Sequence, residues 1–271
     1  MLLGRGLTYG LIAFLCAAIL SACATAAPPL PRIALLAPFE GEFRAVGYDA
    51  LYAARLAVQD AGAAVDLVPI DDGGTHDFAV DRARALSGDP LTVAVLLIGC
   101  NASSSEVQQA LGDVPAVIVG NFGTPSHPAR EAVFVLAAQA NPILLGTVDA
   151  PTCDTANGDI PVQLETGQTP LNAPIYASAS IPDTAYVARI RASDPFAPEP
   201  MLLSSLIYDA ASLTIPAAIT GDRADAAQML TNTNYQGLNG SIRFVEGWWA
   251  DAPIYAYHYD ATGRLTARSG E

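Results

Sequence analysis

Four small polar residues and one alanine, Asn101-Ala102-Ser103-Ser104-Ser105, follow a strongly apolar stretch of the chain. Ser103 and Glu106, three residues apart, form a capping box, which predicts that a helix begins at Ser103. A helix N-terminus offers unpaired backbone N–H groups and partial positive charge, so this segment could hold a carboxylate without a cationic side chain. The hydroxyl of Thr124, farther along the chain, could complete the cradle. The alternative is that these serines only cap their own helix.

The sequence contains none of the residue combinations that would indicate covalent or metal chemistry. There is no Gly-x-Ser-x-Gly, no His-Glu-x-x-His and no Walker loop, and the 3 histidines lack metal-ligand spacing. Cys100 and His127 could form a thiol–imidazole pair, but a cysteine that ends an apolar strand is typical of a core residue. Asp71-Asp72-Gly73-Gly74 lacks the alternating ligands of a calcium loop and favours a turn. We therefore predict no enzymatic activity, no catalytic residue, no metal site and no cofactor.

The first 23 residues predict where the protein works. Arg5 precedes an apolar run, Leu7 to Leu20, that is shorter than the about 20 residues a spanning helix needs. Leu20-Ser21-Ala22-Cys23 resembles the lipobox of bacterial lipoproteins, in which the cysteine becomes N-terminal and carries the lipid. An ordinary cleaved signal with an incidental cysteine is the alternative. We predict a signal segment over 1–23, a lipid anchor on Cys23, a tether over 24–31, and an extracytoplasmic location at a membrane.

The net charge narrows the possible partners, and the cysteine content bears on a disulfide. The net charge is −14, from 13 basic and 27 acidic residues. Such a surface repels phosphate backbones, so nucleic acid is not an expected partner.

Cys100 and Cys153 remain in the exported part of the chain, where they either form a disulfide or stay as two buried thiols.

From Ile33 onward, short apolar runs alternate with segments of helical periodicity, which is typical of βα units around a parallel sheet. The predicted strands are 33–37, 65–70, 91–98 and 114–119, and helices are expected over 47–61, over 78–86 and from Ser103. This pattern predicts an α/β fold with a doubly wound parallel sheet. Four loops, 39–46, 71–75, 99–105 and 121–125, should meet at the carboxyl ends of the strands, where such sheets bind ligands.

The pattern is weaker beyond Val133. Strands are predicted over 133–137 and 143–148, and a loop over 151–174 with one short strand near Val162. Helices are predicted over 186–191, over 202–219 with an end at Pro216, and over 224–231. The segments 241–245 and 254–259 are predicted to form a closing pair of strands.

These segments resemble, in the correct order, the type I periplasmic binding proteins, in particular the Leu/Ile/Val-binding group of ABC importers. The opening strand, ligand loop and first helix of that family are similar to IALLAPFEGEFRAVGYDALYAARLAVQDA, and the next strand and helix to VDLVPIDDGGTHDFAVDRARAL. The following two strand ends resemble LLIGCNASSSEVQQALGDVPAVIVGNFGTP. The "YDA" helix and the closing element resemble LIYDAASL and NYQGLNGSIRFVEG.

The resemblance implies a ligand site and a departure from the family. Ser103 and Thr124 would bind the carboxylate of an amino-acid ligand, assisted by Ser104 and by backbone groups near Ala102, Phe122 and Gly123. Val46 stands where relatives carry an aromatic residue that packs on the ligand. The family has a full second lobe, whereas only about 60 residues, two βα units, are available here. We expect a first lobe over 32–137, a reduced second lobe over 138–200, and C-terminal helices and closing strands over 201–271.

The leading functional hypothesis is a lipid-anchored solute-binding protein that captures an amino acid or similar small carboxylate for an ABC permease. The alternative is a degenerate binding protein that serves as a scaffold for protein contacts and binds no solute. The aromatic residues at 248, 249, 255, 257 and 259 would be its surface, unless they pack between the lobes.

Overall fold

The computed structural model of the protein describes residues 28–41, 43–120, 128–139, 175–262 and 264–267. The described part of 32–137 contains β1 (Arg32–Ala37), α1 (Arg44–Ala61), β2 (Asp66–Asp71), α2 (His76–Gly88), β3 (Thr92–Leu97), α3 (Cys100–Ser103), α4 (Ser105–Ala110), β4 (Ala116–Val119) and β5 (Val133–Leu136). Farther along are β6 (Ile175–Ala177), α5 (Thr184–Ser193), α6 (Ser204–Ile219), α7 (Arg223–Thr231), β7 (Tyr235–Gly237), β8 (Gly240–Ile242), β9 (Phe244–Val245), β10 (Trp248–Trp249), β11 (Tyr255–Tyr259) and β12 (Leu265–Ala267).

The main sheet has seven strands in the order β2-β1-β3-β4-β5-β10-β9. All pairings from β2 to β10 are parallel, and only β9 runs antiparallel to its neighbour β10. Every residue of β3 is buried, as expected of a central strand covered on both faces. The predicted doubly wound parallel sheet is therefore confirmed.

Two apolar layers cover the two faces of this sheet. Ile33 and Leu35 of β1 belong to the layer that contains α1 and α6, whereas Leu36 belongs to the layer that contains α2 and α4. The small residues of α1, such as Ala50 and Ala57, are almost completely buried in the first layer. Their short side chains allow α1 to lie close to the sheet and along α6.

Pro216 lies inside α6, which continues to Ile219, so the prediction that this proline ends the helix is wrong. Proline removes one backbone donor, which usually breaks a helix. Here Ile215, Ala217 and Ala218 are buried against the sheet, and this packing favours a continued helix. Tertiary contacts thus outweigh the local effect of the proline.

The predicted pairing of 241–245 with 254–259 is wrong. β8 pairs with β7 in a hairpin, β9 pairs with β10, and β11 pairs with β6 and β12 in a separate three-stranded antiparallel sheet. Glu246 and Gly247 both have positive φ, at 51° and 79°, and form a tight turn. This turn brings Val245 opposite Trp248, its near neighbour in sequence.

Segment 201–271 contributes strands to both larger sheets, and the small sheet also takes β6 from the segment predicted as the second lobe. The predicted strands at 143–148 and near Val162 lie outside the described residues. Within the described ranges, no helix combines the length and apolarity required to cross a membrane.

Candidate functional site

The carboxyl ends of β1, β2 and β3 lead into three loops on one edge of the main sheet, as predicted. The fourth predicted loop, 121–125, lies outside the described residues, and with it the predicted ligand residues Phe122, Gly123 and Thr124. The site can therefore be described from the loops at 38–43, 72–75 and 98–104, without residue 42.

The helix that was predicted to begin at Ser103 begins later, because a separate helical turn, α3, comes first. Ser104 is the N-cap of α4, and its hydroxyl accepts a hydrogen bond from the Val107 N–H at 3.3 Å. Ser103 closes α3, and its hydroxyl donates to the Cys100 carbonyl at 3.4 Å. The predicted capping box of Ser103 with Glu106 is therefore wrong, and the capping role belongs to Ser104.

The predicted binding residues that the structure describes are enclosed. Ala102 and Ser103 are 0% exposed and Ser104 is 6% exposed. Ala102 packs with Val107 and Leu111 in the core layer under α4. The hydroxyls of Ser103 and Ser104 thus do not stand on an open surface.

The carboxylates that follow β2 bind backbone amides. Asp71 Oδ1 accepts from the N–H of Phe39 at 2.7 Å and of Glu40 at 3.2 Å, so it fixes the loop after β1. Asp72 Oδ1 accepts from the Gly74 N–H at 2.8 Å, and burial raises the pKa of Asp72 to about 6. Both carboxylates therefore shape turns, as the turn interpretation of Asp71 to Gly74 predicted.

Glycines explain the shape of the loop after β1. A Cβ on Gly47 would lie 2.0 Å from the Pro38 carbonyl oxygen, so only glycine allows α1 to approach this loop. Gly99, with φ of 93°, lies near the Pro38 ring, which is 3.3 Å from the position of a Cβ. The two glycines bring the loops after β1 and β3 together at the same edge of the sheet.

The aromatic side chains at this edge come from positions that sequence reasoning did not single out. Val46 is 5% exposed and belongs to the core. Tyr48 is 45% exposed, and its ring meets that of Phe39 edge to face with centroids 5.8 Å apart. The signal available in the sequence was the presence of aromatic residues in the loop and in the first turns of α1.

Hydrogen bonds tie the main sheet to the small sheet where the chain passes between them. The Ala138 N–H, just after β5, donates to the Ser178 hydroxyl, just after β6, at 2.9 Å. The Tyr257 hydroxyl of β11 donates to the Ala179 carbonyl at 2.8 Å. These bonds hold three chain segments together at the junction of the two sheets.

The "YDA" and closing motifs meet at a buried carboxylate. Asp209 of α6 is 0% exposed and accepts from the N–H groups of Leu238 and Asn239 at 2.8 and 2.9 Å. Burial raises the pKa of Asp209. Asn239 Oδ1 in turn accepts from the Ser180 N–H at 2.8 Å. These motifs therefore organise the hairpin of β7 and β8 and attach it to the sheet junction.

Cys100, the first residue of α3, is 6% exposed, and its sulfur is disulfide-bonded. The predicted partner Cys153, the anchor Cys23 and His127 all lie outside the described residues. The pairing of Cys100 with Cys153 and the lipidation of Cys23 stay predictions. Among the described residues, no cluster of three or more His, Cys, Asp or Glu could hold a metal ion.

The aromatic residues proposed as a scaffold surface do not form one exposed cluster. Trp249 is 2% exposed and its indole N–H donates to the Ser241 carbonyl at 2.9 Å. Tyr257 is 3% exposed and Tyr255 is 37% exposed, whereas the side chain of Tyr259 lies outside the described part of the chain. Trp248 packs against the core beneath α2 and α4. Trp248 and Trp249 point to opposite faces of the main sheet, and each packs in the apolar layer on its side, so these two residues are not available as a surface.

No protein-family model and no curated protein matches the sequence. The structure is similar to the branched-chain amino acid transporter substrate-binding protein LivJ from Streptococcus pneumoniae in complex with isoleucine, with TM-score 0.66 and 13% identity over 88% of this chain and 98% of that chain. The leucine-binding protein LivK from Thermotoga maritima gives TM-score 0.66 and 15% identity over 89% of this chain and 98% of that chain. An ABC transporter solute-binding protein from R. palustris in complex with benzoate gives TM-score 0.62 and 12% identity over 88% of this chain and 95% of that chain.

All three structures are named as substrate- or solute-binding proteins of transporters or as leucine-binding proteins. The alignments reach almost from end to end of each of them. The chain therefore has the type I periplasmic-binding-protein fold, the fold of branched-chain amino-acid substrate-binding proteins of ABC transporters.

Proposed function

We propose that this protein is an extracytoplasmic solute-binding component of an ABC importer that captures an amino acid or a similar small carboxylate. The observation that carries the proposal is the similarity of fold, over almost the full length, to proteins solved with isoleucine and with benzoate. Isoleucine and benzoate share a carboxylate attached to an apolar body. Binding of such a solute requires no covalent step and no cofactor.

In this proposal, the hydroxyls of Ser103 and Thr124 bind the solute carboxylate. Ser104 and backbone groups near Ala102, Phe122 and Gly123 complete the site. Two observations support this location: the Ser103 turn follows β3 at the ligand-binding edge of the sheet, and Phe39 and Tyr48 place aromatic surface at the same edge. Because Ser103 is 0% exposed, the site must open for entry and close over the solute, which excludes water from the carboxylate contacts.

Thermal-shift assays of the purified full-length chain with a panel of amino acids and benzoate test this function. A solute at about 100 times its Kd adds about 2.7 kcal/mol of stability, and each kcal/mol raises Tm by about 2–4 °C. The shift should disappear in Ser103→Ala and persist in Thr214→Ala, which removes a buried hydroxyl from α6. If no solute shifts Tm, the scaffold alternative is favoured.

The proposal includes a lipid anchor on Cys23 and delivery of the solute to ABC permease subunits. Its support is the lipobox-like sequence around Cys23. Cells labelled with palmitate should yield a labelled protein in the membrane fraction. Cys23→Ser should lose both the label and the membrane association, whereas Cys100→Ser should keep them. An unlabelled wild-type protein in the soluble fraction would contradict the anchor.

A further inference from the structure

Gln108 is a completely buried polar residue in α4, and both ends of its side-chain amide are engaged. Its Nε2 donates to the Ser103 carbonyl at 2.8 Å. Its Oε1 accepts from the Ala129 N–H at 2.7 Å. Exchanging the oxygen and nitrogen would place a donor against a donor and an acceptor against an acceptor, so the two partners fix the orientation of the amide.

The backbone of Gln108 joins the same two segments. Its N–H donates to the Ser104 carbonyl at 3.0 Å, and its carbonyl accepts from Arg130 Nε at 2.5 Å. One residue thus connects the Ser103–Ser104 turn to the Ala129–Arg130 segment. The side-chain bond to Ala129 spans 21 positions of sequence.

Arg130 holds its segment in place independently of the Gln108 side chain. Its guanidinium also donates to the Glu131 carbonyl at 2.8 Å and to the Val114 carbonyl. Burial lowers the pKa of Arg130, because desolvation penalises the charged guanidinium. Arg130 therefore fixes the position of Ala129. The Gln108 side chain, bonded to both Ala129 and Ser103, holds the Ser103 carbonyl relative to Ala129.

We propose that Gln108 is a positioning residue for the solute site, because it couples the turn that carries Ser103 to the segment that enters β5. This inference rests on the proposed function for its binding role. Ser103 is held through its carbonyl, so loss of the Gln108 amide leaves the hydroxyl present but changes where it points. A buried amide without its partners is also costly, which favours the coupled arrangement.

Two substitutions separate the two side-chain bonds. Gln108→Glu keeps an acceptor for the Ala129 N–H and loses the donor to the Ser103 carbonyl, whereas Gln108→Met loses both. Gln109→Ala is the control, because Gln109 is the adjacent, exposed residue of α4. The readouts are amide hydrogen exchange along the chain and the affinity for L-leucine and benzoate, measured well below Tm.

Faster exchange at the Ala129 amide is expected in Gln108→Met alone, and faster exchange in the Ser103–Val107 turn is expected in both Gln108 variants. Solute affinity should fall about tenfold or more in both, as loss of one buried hydrogen bond would give. If both Gln108 variants show the same amide hydrogen exchange rates as Gln109→Ala, Gln108 does not couple the Ser103 turn to Ala129. Altered exchange with unchanged affinity would overturn the positioning role. If the wild type binds no solute, the proposed function fails, and hydrogen exchange still decides whether the coupling exists.

Discussion

Gly237 lies so close to the carboxylate of Asp209 that a Cβ on Gly237 would stand 2.5 Å from Asp209 Cγ. The hairpin turn that follows Gly237 directs two N–H groups at this carboxylate. Glycine at 237 and a short acidic side chain at 209 therefore depend on each other. This contact explains why two motifs distant in sequence occur together in the chain.

Gly237→Ala should destabilise the protein by about 2–3 kcal/mol, because the added methyl group pushes the carboxylate away from the hairpin amides. Chemical denaturation followed by circular dichroism measures the change. Gly88→Ala is the control, since a Cβ there meets no atom within 4 Å, and it should be neutral or stabilising by up to about 1 kcal/mol. Equal stability of Gly237→Ala and wild type would show that the contact is unimportant.

Stability should fall as pH rises from about 4 to about 7. Asp49 of α1 is 3% exposed, and burial raises its pKa to about 7. The folded state therefore retains a proton that the unfolded chain loses near pH 4, so the group favours folding most below pH 4 and loses this contribution up to about pH 7. Asp72, with its pKa raised to about 6, acts in the same direction.

The pH dependence of Tm for Asp49→Asn tests this assignment. The amide keeps an acceptor for the Met201 N–H, which lies 3.2 Å from Asp49 Oδ1, and carries no charge at any pH. The slope of Tm against pH should become smaller than in the wild type. Asp81→Asn, at an exposed carboxylate, should leave the slope unchanged. A wild-type Tm that rises between about pH 4 and about pH 7 would contradict the prediction.

Ser104→Ala should lower the free energy of unfolding by about 1 kcal/mol, because α4 loses its N-cap. Ser105→Ala removes the neighbouring hydroxyl, which contacts only the exposed Glu106 side chain in the described contacts, and should change stability by less than about 0.5 kcal/mol. Urea denaturation of both variants gives the comparison. A larger loss of stability in Ser105→Ala than in Ser104→Ala would contradict the assignment of Ser104 as the N-cap of α4.

We expect Cys100 to form its disulfide with Cys153. A peptide containing both cysteines should appear in a non-reducing proteolytic digest analysed by mass spectrometry. Cys153→Ser should cost about 4 kcal/mol of stability, the chain-entropy value for a closed loop of about 50 residues. Two alkylated free thiols in the native protein, or a link from Cys100 to a different cysteine, would exclude this pairing.

The local pattern predicted the strands and helices between residues 32 and 111 well, because these elements bury regular sets of residues. The helices at 47–61 and 78–86 appear at Arg44–Ala61 and His76–Gly88, a few residues longer at their ends. Helix ends were harder to predict where several residues could cap. Ser103, Ser104 and Ser105 can each cap a helix. Because the extra turn α3 follows Gly99 and ends at Ser103, the N-cap of α4 is Ser104.

Long-range pairings could not be predicted from the sequence. The bond between Gln108 and Ala129 and the contact of Asp209 with the hairpin depend on tertiary packing, and neither follows a local period. The pairing of the C-terminal strands was wrong for the same reason. Alternation indicates that a segment is a strand, but the turn at Glu246 and Gly247 determines its partner.

Isothermal titration calorimetry of the purified full-length chain with L-leucine, L-isoleucine and benzoate tests solute capture most directly. We predict saturable binding to a single site for at least one of the three, lost in Ser103→Ala and retained in Thr214→Ala. Absence of binding heat and of any Tm shift with all three solutes, up to about 10 mM, would contradict the account.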